Sequence, residues 1–82
     1  MDYVALIDTI VKMIVKDTEA VSVKEYESTE ENLIHLEILV SKEDLGRIIG
    51  KGGQTIKSIR NIVWASASLN DGQKIKIDVD AY

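Results

Sequence analysis

Residues 47–60 read Arg47-Ile48-Ile49-Gly50-Lys51-Gly52-Gly53-Gln54-Thr55-Ile56-Lys57-Ser58-Ile59-Arg60, a glycine turn set between two apolar stretches with helical spacing. Three of the chain's five glycines fall here, where a backbone free of Cβ can take positive φ and come close to a ligand. Helical spacing resumes at once with Ile56, Ile59 and Val63, so the free N–H groups of the turn and those of a helix N-terminus should point the same way. Such an arrangement is suited to seating a phosphate.

Two commoner phosphate loops do not fit. A P-loop needs four residues between its glycines and then Lys followed by Ser or Thr; Gly46 and Gly50 have three between them, and Lys51 is followed by Gly52. A dinucleotide fingerprint starting at Gly50-Lys51-Gly52 needs glycine where Thr55 stands, and a strand where the spacing before Gly50 is helical. What remains, Ile-Ile-Gly-Lys-Gly-Gly-x-x-Ile-Lys, resembles the G-x-x-G signature of the KH domain, a module in which this loop clamps the backbone of single-stranded RNA. The apolar pair before the glycines and the Ile-Lys after them make the match specific.

The chain has 82 residues, enough for one small domain with a single core, residues 1–82, and too few for a large catalytic cleft. Apolar residues make up 45% and charged residues 29%, which predicts a packed core rather than disorder. Without cysteine there are no disulfides or thiolate metal sites, which fits a cytoplasmic protein. Met1-Asp2-Tyr3 lacks a basic leader, and Asp8 and Lys12 interrupt the apolar run that follows, so neither a signal peptide nor a membrane span is expected. The net charge of −4 is unevenly spread: residues 1–41 carry −6, residues 42–60 carry +3 and residues 61–82 carry −1. Between Leu45 and Arg60 stand four bases and no acid, so the positive segment is the one that holds the glycine turn.

Around that turn the periodicities are clear. From Tyr3 to Val15, apolar residues recur at three and four, which predicts an amphipathic helix with Tyr3 and Met13 in its core or rim. Val21-Ser22-Val23-Lys24 begins a strand, the polar cluster Glu27-Ser28-Thr29-Glu30-Glu31-Asn32 follows, and Ile34 to Val40 alternates with Ile34, Leu36, Ile38 and Val40 on one face; the pair predicts a hairpin. His35 falls on the opposite face, as an exposed strand residue. Ser41-Lys42-Glu43-Asp44 fits a capping pattern ahead of Leu45, Ile48 and Ile49, a short helix leading into Gly50. After the turn, Ile56, Ile59, Ile62, Val63 and Ala67 form the apolar stripe of a longer helix, with Lys57, Arg60, Asn61, Trp64 and Ser68 on its other side. Asn70-Asp71-Gly72 stops it, and Lys74 to Asp80 alternates strictly with Ile75, Ile77 and Val79 inward.

Strands with one apolar face predict an α+β fold: a three-stranded sheet with three helices packed on one face, in the order α-β-β-α-α-β. That order is the one of the type II KH fold, and the chain resembles the small bacterial single-KH-domain RNA-binding proteins of the KhpA type. The match is close through Leu45-Gly46-Arg47-Ile48-Ile49-Gly50-Lys51, Ile59-Arg60 and Ala65-Ser66-Ala67. Trp64 departs from the pattern, which has a small polar or basic residue there. The resemblance implies a single-stranded RNA partner, with a homodimer or a second KH-type RNA-binding protein as the protein partner, and a role as an RNA chaperone or post-transcriptional regulator.

Gly50, Lys51, Gly52 and Gly53 are the expected backbone clamp, with Lys51 as a mobile charge at the tip. By resemblance, bases would lie in a groove floored by Leu45, Ile48 and Ile49, with Ile38 or Val40 from a strand, and flanked by Arg47, Lys57 and Arg60. No aromatic residue stands near the turn, so shape and backbone contacts must do the recognition. No His, Cys or paired carboxylates accompany the turn, so neither catalysis, a cofactor, a metal nor a small-molecule substrate is expected. The rival is a protein-interaction module that binds no RNA. Trp64, a large ring on the polar side of its helix, is costly there unless covered; a protein contact at Trp64 and a ring tucked along the rim of its own core are the two alternatives.

Overall fold

The computed structural model describes residues 1–28 and 30–82; Thr29, in the polar cluster between the first two strands, lies outside the described residues. The elements are α1 (Tyr3–Lys12), β1 (Ser22–Tyr26), β2 (Leu33–Val40), α2 (Lys42–Ile49), α3 (Gln54–Asn70) and β3 (Lys74–Ala81). A short 3-10 turn precedes β1 (Thr18–Ala20), and another, Lys51–Gly53, joins α2 to α3. The predicted α-β-β-α-α-β order is therefore the observed one.

The sheet runs β1-β2-β3. β1 and β2 form the predicted hairpin, antiparallel from Ser22 opposite Leu39 to Tyr26 opposite His35. β2 and β3 are parallel, from Leu33 opposite Lys74 to Val40 opposite Ala81. Parallel neighbours require the chain to travel back along the sheet before it can pair. The α2–turn–α3 unit is that return, which is why the glycine turn hangs off a crossover rather than off a hairpin.

Leu36, Ile38 and Val40 of β2 and Ile75 and Ile77 of β3 meet Tyr3, Ile7 and Val11 of α1 and Ile56, Ile59, Val63 and Ala67 of α3 in one core. The helices cover this face only. On the other face Tyr26 donates to Glu37 (2.8 Å), His35 Nε2 lies 2.8 Å from Asp78 Oδ2, and the Tyr26 and His35 rings meet at a tilt. His35 is thus a half-buried residue of the open sheet face.

Two core assignments are corrected. Met13 is 81% exposed, because α1 ends at Lys12 and the chain tightens into i→i−3 bonds from Met13 to Ile10 and Ile14 to Val11, turning Met13 off the apolar stripe. Ile62 is 50% exposed; a step of three from Ile59 carries it past the edge of the stripe that Ile56, Ile59, Val63 and Ala67 fill.

Asp44 is the buried charge of this fold, with 1% of its surface exposed. Its carboxylate accepts from the backbone N–H groups of Lys16 and Asp17 (both 3.0 Å), from the Ser41 hydroxyl (3.0 Å) and from Arg47 Nη1 (2.9 Å). The backbone donors of Asp17 and Lys16 lead in holding its carboxyl down at about 2, from an ordinary 3.8, against the opposing pull of burial, with Ser41 and Arg47 adding to them. A carboxyl lowered in the folded state stabilises the fold above its unfolded value and ceases to do so as pH falls through its folded value. Acid unfolding should therefore gain a contribution from Asp44 between pH 3.8 and about 2. In Asp44→Asn the backbone donors lose an ionised acceptor, and thermal unfolding at neutral pH should drop by roughly 10 °C. A variant whose Tm and acid transition match the wild type would show that this carboxylate does not hold the fold.

Candidate functional site

α2 begins as its sequence predicts: Ser41 is the N-cap and accepts from the Asp44 N–H at 3.3 Å, with Glu43 and Asp44 in the first turn. It ends where Gly50 donates to the Gly46 carbonyl at 2.8 Å. There the backbone takes φ 77°, ψ 172°, a region open in practice to glycine alone. Sterics add a second requirement, because a Cβ at Gly50 would lie 2.2 Å from Thr55 Oγ1 and 2.8 Å from the Thr55 backbone nitrogen. Gly50 lets the chain double back against the first turn of α3.

Lys51–Gly53 then form one 3-10 turn, closed by Gly53 N–H to the Gly50 carbonyl at 3.1 Å. Gly52 and Gly53 have φ 64° and 77°, both with open space where a Cβ would stand. α3 starts at Gln54 with neither a side-chain cap nor an acid in its first turn. The N–H groups of Lys51 and Gly52 have no partner among the described residues. The turn thus presents unpaired donors and the positive end of a 17-residue helix to solvent. An anion is what that arrangement attracts.

Around it, Lys51 and Lys57 are exposed, and no ion pair among the described residues uses Lys51, Lys57 or Arg60. Arg47 is exposed too, but its guanidinium is committed to Asp44. Ile49 stands at the surface beside the turn, and Leu45 is partly buried against the core. Ile48 is fully buried, so it supports the turn from beneath and offers no surface.

The groove expected from the sequence is redrawn in its strand wall. Ile38 and Val40 are fully buried, because β2 is the central strand and its apolar face lies under the helices. The strand beside α2 and α3 at the surface is β3, whose outer edge is unpaired by any strand. Arg60 Nε and Nη2 both donate to the Ile77 carbonyl (3.2 and 2.9 Å), and Trp64 Nε1 donates to the Ile75 carbonyl (2.7 Å). Of the two alternatives for Trp64, its ring edge is anchored on the rim of its own core, while the residue stays 46% exposed. Sequence reasoning missed this seam, yet a signal existed. Four residues of helix rise about 6 Å and two of strand about 6.6 Å, so side chains at positions 60 and 64 match carbonyls at 77 and 75 of an antiparallel neighbour.

A family model described as KhpA/KhpB, KH domain, matches residues 4–79. The RNA-binding protein KhpA of Chlamydia trachomatis serovar D is 43% identical over 70 residues, covering 85% of this chain and 86% of that protein. The RNA-binding protein KhpA of Thermotoga maritima is 42% identical over 74 residues, covering 90% of this chain and 93% of that protein. Among solved structures, Era in complex with MgGDPNP and nucleotides 1506–1542 of 16S ribosomal RNA matches with a TM-score of 0.71 at 21% identity, over 96% of this chain and 30% of that one. At this identity the likeness to Era is one of fold.

The two kinds of glycine in the turn should separate on substitution. Gly50→Ala meets both the forbidden φ,ψ and the Thr55 contact and should cost about 3 kcal/mol in urea unfolding, whereas Gly52→Ala, strained only in φ, should cost about 1 kcal/mol. Equal costs at the two positions would mean that the Thr55 contact does not constrain the turn.

Proposed function

This chain belongs to the KhpA/KhpB KH-domain family, a family of non-enzymatic RNA-binding proteins, and from that premise we propose that it binds single-stranded RNA by clamping the backbone in the Gly50–Gly53 turn. The observation that carries the proposal is the Lys51 and Gly52 N–H groups, unpaired among the described residues, at the uncapped N-terminus of α3, flanked by Lys51 and Lys57, cations with no carboxylate partner among those residues. Phosphate oxygens accept from such donors, and the helix dipole favours their charge. Bases would then lie along the surface bounded by Leu45, Ile49 and the outer edge of β3. The cellular role we assign is that of an RNA chaperone or post-transcriptional regulator in the cytoplasm.

Replacing Lys51 and Gly52 together by Asp tests the clamp. Gly52 has φ 64° with open space around it, a conformation Asp tolerates, so the stability cost should stay near 1 kcal/mol. Removing one positive charge and adding two negative ones where phosphate would sit should lower affinity about a hundredfold or more. For the wild type, neutralising roughly three phosphates on a single strand predicts a log–log salt slope of about −2. Retention of wild-type affinity by the folded double variant, or a flat salt response, removes the clamp.

A second reading concerns the protein partner. Ile62 and Leu69 are 50% and 86% exposed on the outer flank of α3, and no charged residue occurs from Asn61 to Asn70. We propose that this flank meets a second copy or a second KH-type RNA-binding protein, joining two small RNA footprints and raising avidity without new contacts per site. Sedimentation of the wild type should show a dimer at high micromolar concentration and Ile62→Glu a monomer; a wild type monomeric throughout that range leaves the homodimer without support.

A further inference from the structure

A cleft of about 350 Å³, lined by Trp64, Gln73, Lys74 and Ile75, opens at the far half of α3, away from the glycine turn. We infer that this cleft is a second seat for single-stranded RNA, in which an unpaired base stacks on the exposed face of Trp64. The inference rests on the RNA-binding proposal above and extends it to a site that the G-x-x-G turn does not include.

Trp64 is fixed but not covered. Its Nε1–H is held by the Ile75 carbonyl at 2.7 Å, which sets the ring's direction, yet the residue stays 46% exposed. A ring ordered before its ligand arrives loses little freedom on binding. Aromatic faces accept any base, since every base has a π-face, and such platforms are how proteins without base-specific pockets hold single strands. Gln73 and Lys74 border the same, largely apolar cleft, and an amide and an ammonium at its border are suited to a base edge and a phosphate.

The cleft also lies in line with the proposed clamp. Gly53, Lys57, Arg60 and Trp64 follow each other at steps of four, three and four, which places them along one face of α3. That face borders the outer edge of β3, where Arg60 and Trp64 bond to successive outward carbonyls. Eleven residues of helix separate Gly53 from Trp64, roughly 16 Å, a span of a few nucleotides. Lys57 and Arg60 mark the path with positive charge, and neither is in an ion pair among the described residues. An RNA held at the turn and following this charge arrives at the indole.

Trp64 is the only tryptophan in the chain, so its fluorescence reports the site directly. The probes are a single-stranded oligonucleotide of about four nucleotides, the footprint of the turn alone, and one of roughly twice that length. Both should bind the wild type, but only the longer should quench Trp64 strongly. Trp64→Ala, followed by anisotropy of labelled oligonucleotides, should lose roughly tenfold in affinity for the longer strand and little for the shorter, while Trp64→Phe, which keeps a stacking face, should retain most of the longer strand's affinity. If both strands bind and neither quenches, or if Trp64→Ala weakens both equally, the second seat does not exist and the clamp stands. Quenching that follows protein concentration without RNA would identify the ring as a contact between copies and overturn the inference. Failure of either strand to bind would overturn the RNA-binding proposal and this inference with it.

Discussion

The Asp44 carboxylate accepts from two backbone N–H groups of the α1–β1 connection, from the Ser41 hydroxyl and from Arg47, joining parts of the chain 27 and 28 residues apart. Apolar packing holds α1 and α2 to the same core, but it is non-directional and would tolerate a small slide or rotation of a helix as short as eight residues. Four hydrogen bonds to one buried group do not tolerate it. A buried carboxylate is costly unless every lone-pair direction is met, and here the donors come from different segments, so the charge can be satisfied only when α2 sits at one place on the fold.

The glycine turn inherits that placement. α2 has fewer than two turns between Asp44 and Gly50, so the position of the carboxylate fixes where the helix ends, and Ile48 beneath the last turn prevents it from rolling. Gly50 then reverses the chain in a conformation and a space that admit no side chain. The next helix is left with its N-terminus bare of caps and acids. Helices ordinarily begin with a Ser, Thr, Asp or Asn cap; here the 3-10 turn takes that place, and it leaves the Lys51 and Gly52 N–H groups without a partner among the described residues, donors of the kind an anion completes.

Much of this was legible from residue patterns. The strict alternation of Ile75, Ile77 and Val79, the stripe of Ile56, Ile59, Val63 and Ala67, and the Ser41 cap each state their element locally, because periodicity and capping are short-range properties. The α-β-β-α-α-β order and the α+β class follow from them. What was not legible depends on neighbours far away in sequence. Alternation tells which face of β2 is buried, but not that β2 lies between two other strands, so Ile38 and Val40 were expected at a groove that only β3 can border. Asp44 reads as a first-turn acid, and nothing near it announces partners at Lys16 and Asp17. Arg60 and Trp64 read as surface residues until β3 is known to run antiparallel beside α3. Ile48 shares its spacing with Ile49, and only the packing of α2 separates the buried one from the exposed one.

The bonds from Arg60 and Trp64 to Ile77 and Ile75 have a consequence for how the sheet ends. An edge strand offers a row of unpaired carbonyls and N–H groups on which another chain can add a strand, and proteins that leave such an edge open are prone to polymerise through it. Here two successive outward carbonyls of β3 are taken by side chains of the molecule's own helix, and the planar guanidinium and indole stand where an incoming backbone would have to lie. Growth of the sheet along that half of β3 is blocked. The opposite edge, β1, is five residues long and carries Lys24 and Glu25, charges that oppose stacking into a continuous sheet. A domain this small thus guards half of one border of its sheet and keeps the other short and charged, without adding any element for the purpose.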